Sequence, residues 1–144
     1  IQPVANVSGR SFYNDSKATN ITATITALNS FKQPIRFIGG GLDRGNEFDE
    51  LIPYLKNVSG AYLYGETKDK MAKAFKAAGV NTIEIFDDLI EATSKAYREA
   101  RQGEVVLLSP SCASWDQYQN FEIRGDVYID TIEQLLLEEP YTDE

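Results

Sequence analysis

Short β-rich runs alternate with helical patterns along most of the 144 residues, and this alternation limits the fold more than any other feature. Residues 4–7 and 11–13 flank Ser8-Gly9-Arg10, which predicts a hairpin. Further strands are predicted at 35–38, 61–64, 82–86 and 105–108. Between them, Asp15-Ser16 reads as the cap of a helix that places Ala18, Ile21, Ile25 and Leu28 on one face. A helix over about 48–55 is shortened or kinked by Pro53. Thr67 caps a helix carrying Met71, Ala74, Phe75 and Ala78, closed by Gly79. Asp87 caps one carrying Leu89, Ala92, Ala96 and Tyr97, ended by Gly103. A last helix over about 126–137 stops at Pro140, before an acidic tail. Strands and helices in this order predict βαβ units, a mostly parallel sheet and a single domain over 1–144.

Composition narrows the chemistry. Twenty-two Asp and Glu against 14 Lys and Arg give a net charge of −8, which argues against nucleic acid and anionic membrane as partners. One Cys makes neither an internal disulfide nor a Cys-based metal site. The absence of His removes the triad base, the His-ligated zinc site and the imidazole shuttle together. What remains is Lys, Arg, carboxylates, hydroxyls and backbone amides. The first residues show no basic region followed by an apolar run, and no 18-residue apolar stretch occurs, so a cytoplasmic location is expected.

Ligands of parallel sheets bind beyond the carboxyl ends of the strands. That rule selects residues 14–20, 39–46, 65–66 and 109–121 as the functional edge. The polar cluster Asn14-Asp15-Ser16-Lys17-Ala18-Thr19-Asn20 is either a helix cap with solvated neighbours or an anion site at a helix N-terminus, with Lys17 adding charge. Gly39-Gly40-Gly41-Leu42-Asp43-Arg44-Gly45 matches neither G-x-G-x-x-G nor a P-loop. It is either a flexible turn or a loop whose amides approach a ligand while Arg44 grips a carboxylate or phosphate. The run from Ser109 to Phe121 holds hydroxyls, the only Cys and the only Trp. Without a His partner, Cys112 reads as a small buried side chain rather than a nucleophile.

The same residues resemble the signatures of the Mur ligases. Tyr13-Asn14-Asp15-Ser16-Lys17-Ala18-Thr19-Asn20 looks like the motif opening that family's C-terminal domain. Leu107-Leu108-Ser109-Pro110, then Cys112-Ala113-Ser114, Asp116-Gln117, Asn120-Phe121-Glu122 and Arg124-Gly125, resembles its second signature. Gly39-Gly40 with Arg44 and Phe48 fits the intermediate loop. Within the family the match is with the members that add D-glutamate.

The resemblance implies an α/β fold: a Rossmann-like, mostly parallel sheet flanked by helices, with the N-terminal hairpin as an antiparallel edge. It implies one domain of an ATP- and Mg²⁺-dependent ligase that joins D-glutamate to UDP-N-acetylmuramoyl-L-alanine through an acyl phosphate, in peptidoglycan precursor synthesis. The P-loop and metal ligands would lie in a central domain, and the UDP-sugar site in an N-terminal one. Both are absent from this chain, so the isolated domain is expected to be inactive. By the same resemblance, Asp15 meets the ATP ribose and Lys17 lies near the transferred phosphate, as both a catalytic and a cofactor-binding residue. Thr19 and Arg44 grip one carboxylate of D-glutamate. Ser114 and the backbone around Trp115 and Phe121 hold the other, and Asn20 supports the nucleotide side. Arg44 stands where some members carry lysine, and Trp115 where a smaller apolar residue occurs. The competing reading is a stand-alone module that binds a small anion or nucleotide.

Overall fold

In residues 1–45 and 47–139, which the computed structural model describes, six strands form one sheet. They are β1 (Gln2–Val7), β2 (Arg10–Asn14), β3 (Ile35–Gly40), β4 (Val58–Tyr64), β5 (Ile83–Ile85) and β6 (Val105–Leu108). The order across the sheet is β1-β2-β6-β3-β4-β5; β1 and β2 pair antiparallel and every other pairing is parallel. Four α-helices accompany it: α1 (Ile21–Leu28), α2 (Lys68–Ala77), α3 (Leu89–Glu99) and α4 (Phe121–Glu138). The Pro53 segment is a 3₁₀ helix, Asp49–Tyr54.

The central strands are apolar on both sides because helices cover both faces. Ile35, Phe37, Ala61, Leu63, Val105 and Leu107 pack with residues of α1, the 3₁₀ helix and α2. Their strand neighbours Ile38, Tyr62, Tyr64, Val106 and Leu108 pack with α3 and α4 on the opposite face. Period-two alternation thus sorts each strand between two cores.

This topology positions the site. From β2 the chain passes through α1 on one face, while β6, its neighbour, leads to α4 on the other. Adjacent strands whose connections leave for opposite faces open a crevice at their carboxyl ends. The loops after β2 and β6 line it, and the loop after β3 lies beside them.

Four boundaries differ from the sequence expectation, each for a local reason. Asp15 and Ser16 do not cap α1. The Asp15 amide extends the sheet pairing to the Leu108 carbonyl (2.7 Å), and Asn20 is the cap, its Oδ1 accepting from the Ala23 amide (2.8 Å). Ala18 is therefore buried in a loop rather than on a helix face. Thr67 stands at the start of α2 but makes no side-chain cap; it is fully buried, with its hydroxyl 3.5 Å from the Cys112 thiol. Asp88, not Asp87, caps α3, accepting from the Glu91 amide at 2.9 Å. Finally, α4 begins at Phe121, capped by Asn120, five residues before the expected start. Pro140 and the acidic tail lie outside the described residues.

Candidate functional site

The loop after β2 is irregular from Asp15 to Asn20 and is held from beneath. Ser109 Oγ donates to Asp15 Oδ2 (3.0 Å), and Asp15 is only 9% exposed. Thr24 Oγ1 donates to the Ser109 carbonyl (3.1 Å) and accepts from Ser111 Oγ (2.8 Å). The Ser111 amide donates to the Ala18 carbonyl (3.0 Å). These contacts tie the first loop to the loop after β6 and leave Lys17 exposed and Thr19 half-buried above them. Asn20 spends its Oδ1 on the helix cap, and among the described residues its amide nitrogen donates no hydrogen bond.

Arg124 is the second tie. It is fully buried on α4 and in line with Tyr128 and Ile132, two other buried residues of that helix. Its Nε donates to Ser16 Oγ (2.9 Å), its Nη2 to the Ser16 carbonyl (2.7 Å) and its Nη1 to the Cys112 carbonyl (2.8 Å). Ser16 Oγ in turn donates to the Phe121 carbonyl (2.6 Å). One guanidinium thus fixes the first loop, the serine loop and the start of α4, as its planar fork of donors allows. Sequence reasoning placed Arg124 in a motif without a role. The signal that marks it is a cation at i, i+4, i+8 spacing with Tyr128 and Ile132 on the buried stripe of a helix.

The glycine loop is packed against the protein itself, which neither a flexible turn nor a ligand loop required. Three of its amides are taken up by the protein: Gly40 donates to the Pro110 carbonyl (3.2 Å), Leu42 to that of Ala113 (2.9 Å) and Asp43 to Glu66 Oε1 (3.0 Å). Gly40 and Gly41 have φ of 133° and 143°. A side chain on Gly40 would strike the Tyr64 carbonyl and one on Gly41 that of Ala113. The glycines therefore serve close packing of β4 and the serine loop.

Arg44 projects from this loop with its guanidinium carbon 4.8 Å from the centre of the Trp115 ring. Asp43 beside it accepts from the Gly45 amide (2.8 Å) and from Lys70 Nζ (3.1 Å), which together hold its carboxyl below the ordinary range. The far side is closed by Asp116, whose Oδ2 accepts from the Glu66 amide (3.2 Å). Burial raises the Asp116 carboxyl. Its Oδ1, Tyr64 Oη and Ser114 Oγ are buried atoms without a hydrogen-bond partner among the described residues. Burial also pushes the Cys112 thiol up to about 11, so it stays protonated and inert.

The described residues of all four segments chosen from the sequence therefore meet at one edge, joined by hydrogen bonds. Lys17 and Arg44 are exposed there, and Ser114 is 2% exposed. A cleft of about 300 Å³ beside the first loop is bounded by Asp15, Lys17, Phe121, Glu122 and Asp126. Among the described residues, no cluster of acids and thiols is arranged to hold a metal ion, and no helix is long and apolar enough to cross a membrane.

Comparison with known proteins agrees with this geometry. Residues 1–112 match the family described as Mur ligase, glutamate ligase domain. The chain is 52% identical to the UDP-N-acetylmuramoylalanine--D-glutamate ligase of Bacillus cereus (strain B4264), over 94% of its own length and 30% of the relative's. Against the enzyme of the same name from Listeria innocua it is 53% identical over 95% of its length and 30% of the relative's. It thus spans about a third of the length of the curated relatives it matches. The fold recurs in the murein peptide ligase Mpl of Psychrobacter arcticus (TM-score 0.64, 12% identity, 98% of this chain and 30% of that one). It recurs also in the UDP-N-acetylmuramate-alanine ligase MurC of Thermotoga maritima (TM-score 0.62, 10% identity, 92% of this chain and 28% of that one). With its matched residues, its sheet and its converging loops, the chain belongs to the glutamate ligase domain family of the Mur ligases.

Proposed function

We propose that residues 1–144 form the amino-acid-binding domain, closing over ATP, of a cytoplasmic ligase that adds D-glutamate to UDP-N-acetylmuramoyl-L-alanine. The names of the relatives above half identical support the substrate. The observation that carries the assignment is the pairing, at one sheet edge, of two exposed cations with the buried hydroxyl of Ser114, which has no hydrogen-bond partner among the described residues. A dicarboxylate needs two separated anchors, and an orphaned buried hydroxyl is satisfied by a ligand oxygen.

In this reading Thr19 and Arg44 hold one carboxylate of D-glutamate. Ser114, with the backbone at Trp115 and Phe121, holds the other. The amine is thereby oriented toward the acyl phosphate made from the partner substrate, and its attack releases phosphate. Lys17 stabilises the negative charge that develops at the phosphoryl group. The cleft bordered by the Asp15, Glu122 and Asp126 carboxylates suits sugar hydroxyls as donors better than phosphates, which supports placing the ribose at Asp15. Asn20 offers its amide nitrogen from the neighbouring helix cap. ATP supplies the phosphoryl group, with Mg²⁺ screening its charge; the residues that hold the triphosphate and the ion are assigned to the remainder of the full-length polypeptide. Closure of the domains would exclude water from the acyl phosphate.

Steady-state kinetics of the full-length polypeptide test this reading. Lys17→Ala should lower kcat by about 100-fold or more, as removal of a charge-stabilising group does, without loss of folding by circular dichroism. Ser114→Ala should raise KM for D-glutamate and leave KM for ATP unchanged. Near-normal turnover in the first variant removes the role given to Lys17, and an unchanged KM in the second moves the amino-acid pocket elsewhere.

A further inference from the structure

Arg44 and Trp115 come from different loops, and the residues around each are pinned. The Leu42 amide donates to the Ala113 carbonyl (2.9 Å), a cross-link two residues before each partner. Asp43 is held by Glu66, Gly45 and Lys70, and Asp116 by the Glu66 amide. Between these anchors only the side chains of Arg44 and Trp115 reach outward. Trp115 is 63% exposed, an unusual state for a residue type that is highly buried on average. Its face is covered by the Arg44 guanidinium carbon at 4.8 Å from the ring centre. Among the described residues, the guanidinium makes no hydrogen bond or ion pair.

We propose that Trp115 is a positioning residue that holds Arg44 as a preformed carboxylate clamp. The idea rests on the amino-acid site proposed above and adds how one of its anchors is kept in place. A cation held over a ring is attracted through the π face, an interaction that uses none of its N–H donors and so keeps them for the ligand. A bidentate grip on a carboxylate needs that edge presented in one orientation, and a free arginine loses rotamer freedom when it binds. The ring bears part of that ordering before the ligand arrives. An ammonium lacks the flat face that makes such a stack directional, so Arg44 and Trp115 form a matched pair.

Kinetics of the full-length polypeptide with D-glutamate as the varied substrate test the pair. Trp115→Leu should raise KM for D-glutamate about three- to tenfold, the scale of an exposed cation–π contact together with a side chain that must be ordered anew. The KM for ATP should change less than twofold. Trp115→Phe should restore most of the loss. Arg44→Ala should raise KM for D-glutamate by at least about tenfold, and adding Trp115→Leu to it should cost nothing more. The proposal is overturned if Arg44→Ala weakens D-glutamate binding while Trp115→Leu does not. It is also overturned if phenylalanine fails to rescue, or if the two losses multiply in the double variant. An unchanged KM in Arg44→Ala overturns the amino-acid site itself, and the clamp with it.

Discussion

Cys112 lies beside Thr67 and only 4% exposed, and burial pushes its thiol up to about 11. At pH 8 roughly one molecule in a thousand then carries the reactive thiolate. Iodoacetamide should label the native chain slowly and the denatured chain fast; rapid native labelling would contradict the buried placement. Arg124 is the residue whose loss should cost most. Arg124→Ala strands three acceptors in the interior, for about 2–4 kcal/mol of stability by denaturant titration. Arg124→Lys should recover little, because one ammonium cannot match the three-way fork. A cost under about 1 kcal/mol would show that the loops hold together without it. The burial of Cys112 was legible in the sequence, where a thiol without a His partner read as a small buried side chain. The work of Arg124 was less so, because it depends on which carbonyls the fold turns inward.

The helices show where sequence patterns stop being informative. Every predicted strand is present within a few residues, because runs such as Val105–Leu108 can only be satisfied between two helical layers. Caps were harder, because Asp, Ser, Thr and Asn at neighbouring positions are equivalent until the backbone chooses one. At α3 the choice is Asp88, with φ −147° and ψ 171°, over Asp87. Asp88→Ala should therefore lower stability by about 1 kcal/mol. Asp87→Ala should change it by less than about 0.5 kcal/mol, since among the described residues the exposed carboxylate meets only Lys68, at 3.8 Å. The reverse order in thermal melts would return the cap to Asp87. At the glycine loop, the pattern left a flexible turn and a ligand loop both open, and the fold sets protein backbone against Gly40 and Gly41. Gly41→Ala should destabilise by more than about 1 kcal/mol, given its φ of 143° and the Ala113 carbonyl against it.

Across the whole molecule, stability should decline with acidification. Burial alone would raise the Glu104 carboxyl, but Ser59, the Arg101 amide and Arg36 outweigh it and hold it below its ordinary value. Asp43, Glu99 and Glu139 are lowered as well, with Glu139 held chiefly by Tyr97 and Arg10. A lowered carboxyl contributes stability above its unfolded value, near 4.3, and loses it as pH falls through the folded value. Asp116 and Glu84, raised by burial, act in the opposite sense. The denaturant midpoint should fall between pH 6 and pH 3, less steeply in Glu104→Gln; an equal slope would remove Glu104 from the account. The arrangement of the sheet edge was legible because the strand-end rule needs only the order of elements. The Arg44–Trp115 contact was not, because it joins residues 71 positions apart across two loops.

The most direct measurement is phosphate release from ATP by the full-length polypeptide with UDP-N-acetylmuramoyl-L-alanine, as D-glutamate is varied. Saturable, D-glutamate-dependent turnover is expected, with Arg44→Ala raising KM for D-glutamate at least about tenfold and sparing KM for ATP. Turnover indifferent to D-glutamate, or a KM for it unmoved by Arg44→Ala, would contradict the assignment of this sheet edge as the amino-acid site.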